Sequence, residues 1–113
     1  MANINITSKL LNKSNNKIHS INTKGIVNKE KIVFYEDEIM NIFYINEVCL
    51  ERKCKEYNIK MDFKNNNGII FDEKINVDFK IKTNYINISN NYIEIDYIIY
   101  MDGVEKYNYK VEW

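Results

Sequence analysis

The stretch Tyr92 to Trp113, YIEIDYIIYMDGVEKYNYKVEW, restricts this chain more than any other. Ile93, Ile95, Tyr97, Ile99 and Met101 share one face of an extended strand, and Glu94 and Asp96 share the other. Beyond Asp102-Gly103, the residues Tyr107, Tyr109, Val111 and Trp113 alternate with Lys106, Asn108, Lys110 and Glu112. A side-chain period of two in β-branched and aromatic residues marks a half-buried strand. Asp-Gly between two such runs predicts a tight hairpin, because a type I′ turn requires positive φ at both central residues. A lone hairpin with one apolar face is marginal in water, so earlier strands must cover that face.

The same period recurs through the rest of the chain. Asn3 to Leu11 groups Ile4, Ile6, Ser8 and Leu10 on one face. Ile18 to Val27 groups His19, Ile21, Thr23, Gly25 and Val27, with Ile18 and Ile26 opposite. Gly25 inside that strand predicts a bulge or bend. Lys31 to Tyr35 and Ile39 to Ile45 follow; the second is apolar on both faces, which predicts cover on both sides. Residues 47–57 admit two readings. Val48, Leu50 and Arg52 alternate as in a strand, whereas Glu47, Glu51 and Lys55 are spaced for one face of a short helix; the strand is preferred. Asn58 to Phe63, the turn Asn65-Asn66-Asn67-Gly68 and Ile69 to Phe71 read as another hairpin. Ile75 to Thr83 points Ile75, Val77, Phe79 and Ile81 inward, and Tyr85 to Ser89 adds Ile86 and Ile88. About nine or ten short strands on short turns predict an all-β meander. A single small antiparallel β-barrel over residues 1–113 is favoured over a sandwich, because closure removes open edges.

Composition narrows the function classes. With 113 residues the chain has the size of one domain. Its 16 basic and 16 acidic residues cancel, which argues against a nucleic-acid or anionic-membrane partner. The opening residues MANINITSKLLNKS contain no apolar run of signal-peptide type, and no stretch approaches the ~20 apolar residues of a membrane helix. A cytoplasmic location is expected. Cys49 and Cys54, spaced C-x4-C, match neither a zinc knuckle nor a redox C-x-x-C. Along a strand they stand about 17 Å apart, beyond disulfide reach.

Few residues suggest chemistry. His19 is the only histidine, and no nucleophile–base pairing can be read from spacing. Glu36-Asp37-Glu38 reads as a solvated strand end, since no further oxygen ligands follow at a cation-binding spacing. The 3 glycines are isolated and form no phosphate loop. These patterns suggest neither an enzyme nor a cofactor. Arg52, the only arginine, is different. In a strand with Val48 and Leu50 it points to the apolar side, where an arginine needs a partner unless it snorkels to solvent. Glu36, Glu38 or tyrosine hydroxyls are the candidates. The aromatic residues that crowd the last hairpin, Tyr92, Tyr100, Tyr107, Tyr109 and Trp113, serve as core or as ligand-lining surface, and Tyr97 lies on its inward face. Arg52, Tyr97 and Glu36 are therefore the candidate ligand-binding set, placed at one barrel mouth.

Several segments resemble the YwiB-like family of small bacterial proteins. They are Lys31–Glu38 (KIVFYEDE), Arg52–Phe63 (RKCKEYNIKMDF) with the Gly turn and Phe71, Thr83 with Ile86 and Ile88, and Ile93-x-Ile95-x-Tyr97-x-Ile99-x-x-Asp102-Gly103. Cys54 stands where the family tends to have Gly, and Phe71, Glu73, Ile75 and Asn76 replace its Tyr-x-Thr-x-Tyr-Gly. The resemblance implies a calycin-like barrel, similar in shape to lipocalins, and no known activity. Two functions are expected. One is a barrel that binds a small, mostly apolar ligand at its mouth; the other is a structural or protein-interaction domain with a filled interior, monomeric or homodimeric. The inward residues are large, so the pocket should be confined to the mouth near Arg52.

Overall fold

The alternating segments become ten antiparallel strands in the computed structural model, which describes residues 3–113. Met1 and Ala2, which open the N-terminal stretch read above, lie outside the described residues. The strands are β1 (Ile4–Asn12), β2 (Lys17–Val27), β3 (Lys31–Glu36), β4 (Ile39–Tyr44), β5 (Cys49–Lys53), β6 (Asn58–Asp62), β7 (Asn67–Phe71), β8 (Asn76–Ser89), β9 (Tyr92–Tyr100) and β10 (Val104–Glu112). Each pairs with its neighbour in sequence, and β1 pairs with β10, so the meander closes into a barrel.

Side chains fill the interior. Phe34, Phe43, Phe63, Ile6, Ile32, Ile93, Ile95 and Val111 are fully buried. Tyr97 lies against Phe63, with ring centroids 4.9 Å apart, and stacks on Tyr107 at 5.5 Å. These are ordinary distances for aromatic pairs that add to burial. On β4 the outward Ile42 is also buried, flanked across the ladders by Val33 and Glu51, so this strand is covered on both faces as its sequence suggests.

Residues 47–57 form no helix: β5 is the strand preferred from the sequence, although it begins at Cys49 and leaves Val48 in the preceding turn, and Cys54–Tyr57 is a loop. Other details differ from the sequence reading. Gly68 is not a turn residue. It lies in β7 with its α-carbon beneath the Phe79 ring, where a Cβ would meet ring carbons at 2.2 to 2.8 Å. The turn itself takes positive φ at Asn66. Gly25 interrupts neither of its ladders; a Cβ there would meet the Val33 carbonyl oxygen at 2.3 Å. Its role is close approach of strands rather than a bulge. The last hairpin turns through Met101, Asp102 and Gly103 instead of two residues, which takes Met101 out of the inward face and leaves it exposed. Ile75 lies before β8 and is exposed. Val77, Ile86 and Ile88 stand on the inward register but are exposed, because neighbouring strands diverge at both ends of β8.

Two ladders leave part of a long strand without a neighbour on one side, and both matter below. β2 meets β3 only through Gly25–Val27, leaving the first half of β2 paired with β1 alone. β7 meets β8 only through Asn76–Lys80. The chain of β8 shifts register against β9 between Thr83 and Tyr85, which brings Asn84 onto the outer face beside Asp96. A bulge of this kind re-aims a side chain. Asp96 accepts hydrogen bonds from Asn84, Lys13 and Asn108. Burial pushes its carboxyl up, and these three donors outweigh that and hold it below the ordinary value.

Candidate functional site

The short β2–β3 ladder opens a mouth into one end of the barrel. Three inward residues on consecutive strands line it: Glu36 near the end of β3, Asn41 on β4 and Arg52 on β5. Asn41 and Arg52 are directly opposite in the ladder, so the guanidinium lies over the amide. Arg52 Nε donates to Asn41 Oδ1 at 3.1 Å, and Arg52 Nη2 donates to Glu36 Oε1 at 3.0 Å. The side chains of Arg52 and Glu36 are 28 % and 15 % exposed, so the ion pair is half-withdrawn from water. His19, from the half of β2 that pairs with β1 alone, reaches across the gap to the other Glu36 oxygen.

The far wall of the mouth comes from β1, β9 and β10 through Ser8, Tyr97 and Tyr109. Burial pushes the hydroxyls of Tyr97 and Tyr109 far above the ordinary tyrosine value. Both therefore stay protonated across the physiological range. The Tyr109 hydroxyl is buried beside Ser8 but makes no hydrogen bond. The Asn41 Nδ2 donor is likewise buried without a partner. Buried polar atoms are paired in the great majority of cases, so two orphans facing one space demand an explanation.

That space is a cavity of about 50 Å³ lined by Ser8, Glu36, Asn41, Arg52, Tyr97 and Tyr109, among others. Larger clefts exist, of about 610 and 520 Å³, on either side of the Cys54–Tyr57 loop. They are open surface troughs between charged turns, with no converging buried polar group. The small cavity has the chemistry and the large clefts do not. No protein-family model, curated protein or solved structure matches this chain.

The structure brings all three candidate residues, Arg52, Tyr97 and Glu36, to this one cavity. Arg52 points inward and pairs with Glu36; it takes no tyrosine hydroxyl, and Asn41 is its second partner. Glu38 is exposed in the turn beyond. The sequence carries no functional expectation for Asn41, and it offers Tyr109 only as one of several aromatic residues of the last hairpin. Asn41 breaks an apolar run, and that was the available signal: a polar residue at an inward position opposite an arginine. His19 is exposed, as a turn-proximal histidine should be, yet sits at the mouth. Cys49 and Cys54 are both free thiols. Cys49 lies on the outer face of β5, where burial raises its pKa and keeps it a thiol. Among the described residues no cluster of three His, Cys, Asp or Glu is placed to hold a metal ion. Among the described residues no helix is long and apolar enough to cross a membrane.

Proposed function

We propose that this chain is a non-catalytic, cytoplasmic binding barrel of the calycin-like bacterial type that its YwiB-like segments resemble. Its mouth takes the polar head of a small ligand. One observation supports this most: the Asn41 amide and the Tyr109 hydroxyl are buried, unpartnered and beside Arg52 in one cavity. A carbonyl or carboxylate oxygen placed there accepts from Asn41 Nδ2 and from Tyr109 Oη, and lies within the field of the guanidinium. Glu36 does not oppose this, because Arg52 and His19 occupy its two oxygens. Only a few heavy atoms fit inside about 50 Å³, so the remainder of the ligand leaves through the β2–β3 gap past Ile21. With so little buried, affinity is on the order of millimolar.

The test is a titration of isotopically labelled protein with short-chain carboxylates and primary amides, followed by NMR. The Asn41 side-chain amide and the Arg52 Nε–H should shift together and saturate, and Asn41→Leu should abolish saturation while the strand signals persist. If neither resonance responds to any probe, the second reading holds. That reading is a filled barrel acting as a structural or protein-interaction domain. It is favoured by the size of the cavity, which is far below the roughly 300–1,000 Å³ of sites that enclose drug-sized ligands.

A further inference from the structure

We infer that two copies of this chain pair edge to edge through the second half of β8, residues Tyr85–Ser89, about a two-fold axis at Asn87. On one side this segment pairs with β9 as far as Ser89. On the other side β7 ends its ladder at Lys80. The β6–β7 turn covers the strand for three residues more, through Ile81 N to Asn66 O at 3.1 Å and Thr83 N to Asn66 Oδ1 at 3.0 Å. From Asn84 to Ser89 no strand of the described residues lies against this edge, and every residue there is exposed.

A bare strand edge is a template for another strand, and proteins that keep such edges free blunt them with charges or proline. The first half of β8 carries Asp78, Lys80 and Lys82. From Thr83 to Asn91, TNYINISNN, there is no charge and no proline. The unpaired edge of β2 makes the contrast: it has Lys17 and Lys24 at its ends, and His19 engages Glu36 across the gap. The β8 edge has no such protection.

The sequence of this edge fits a second copy of itself. In an antiparallel pair centred on Asn87, Asn87 faces Asn87 of the second copy, Ile86 faces its Ile88, and Tyr85 faces its Ser89. Opposite residues of an antiparallel pair lie on the same face. The two Ile86 and two Ile88 side chains, now 38 % and 39 % exposed, would form one apolar cluster on the inward side. An isologous contact of this kind satisfies both edges at once and closes, so it stops at two copies.

The experiment is sedimentation equilibrium on the wild type, Asn87→Lys, Asn87→Glu and an equal mixture of the two variants. Wild type should sediment at twice the monomer mass at high micromolar concentration. Each variant alone should be a monomer, because like charges would oppose each other on the axis, and the mixture should recover the dimer. Circular dichroism of each variant should match wild type, since Asn87 is exposed. A monomeric wild type overturns the inference. So does a dimer that survives in Asn87→Lys, or a mixture that stays monomeric.

Discussion

Replacing Gly68 with alanine tests the packing of the barrel at a single carbon. The backbone at Gly68 does not occupy the left-handed region, so alanine is conformationally acceptable there. The obstacle is Phe79, 7 % exposed, whose ring carbons lie 2.2, 2.4 and 2.8 Å from where the Cβ would be. Carbon atoms pack at about 3.5–4.0 Å, so the ring must retreat by roughly 1 Å within a filled core. Overpacking of this size costs about 1–3 kcal/mol. Loss of glycine's freedom in the unfolded chain offsets about 0.4–1 kcal/mol of that. Gly68→Ala should therefore destabilise by about 1–2 kcal/mol. In a Phe79→Leu background, which lacks the far ring atoms, the same change should be neutral or stabilising. Urea denaturation of the four proteins gives the coupling between the two sites, expected at about 1–3 kcal/mol. A Gly68→Ala protein as stable as wild type, or two additive changes, would refute the account of Gly68 as a residue chosen for its missing Cβ.

Three other expectations follow from the same reasoning. Ile95→Ala, at a fully buried site in the centre of β9, should cost about 2–5 kcal/mol in the same assay. Arg52→Met should cost about 1–2 kcal/mol, because it leaves Glu36 half-buried without its guanidinium; Arg52→Met with Glu36→Gln should recover part of that, and equal losses in both would show that the pair is not coupled. Hydrogen bonds from Tyr92, Tyr85 and Asn108 lower the Glu94 carboxyl to about 2. Its folded pKa lies below the unfolded value of about 4.3, so its stabilising effect is present above that value and is lost as pH falls through about 2. Stability measured from pH 5 to pH 2 should fall less steeply in Glu94→Gln than in wild type; parallel curves would contradict the assignment.

Most of the strand plan was readable, because a period of two leaves a plain trace where one face is buried and the other wet. The alternation of Ile93, Ile95 and Tyr97 placed them inward, and all three are buried. The same pattern overreached at Ile86 and Ile88. Alternation reports which way a side chain points, but exposure depends on whether a neighbouring strand reaches that far, and β7 does not. Glycine was misread in a related way. Gly68 follows Asn and looks like a turn, yet its reason lies in Phe79, eleven residues on and on another strand. At the mouth, the inward Arg52 and its need for Glu36 could be argued from alternation and charge. Asn41 could not, and Tyr109 only as one of several hairpin aromatics, since their importance lies in bonds they do not make. The outer network around Asp96 leaves no sequence mark, because Lys13 reaches it from far along the chain and Asn84 through a register shift.

The ladder between β1 and β10 has a kinetic meaning. Every other ladder joins strands adjacent in sequence, and each of those hairpins can form by searching only a short loop. The β1–β10 ladder alone joins residues about a hundred positions apart, such as Thr7 and Glu112. Closing so long a loop costs about 2 kcal/mol more entropy than closing a ten-residue hairpin. Until that seam zips, the growing sheet has two free edges and an apolar face that curls around nothing. Closure is thus the step that converts a chain of local hairpins into a cooperative unit. It also sets the period during which unfinished molecules expose edges to one another.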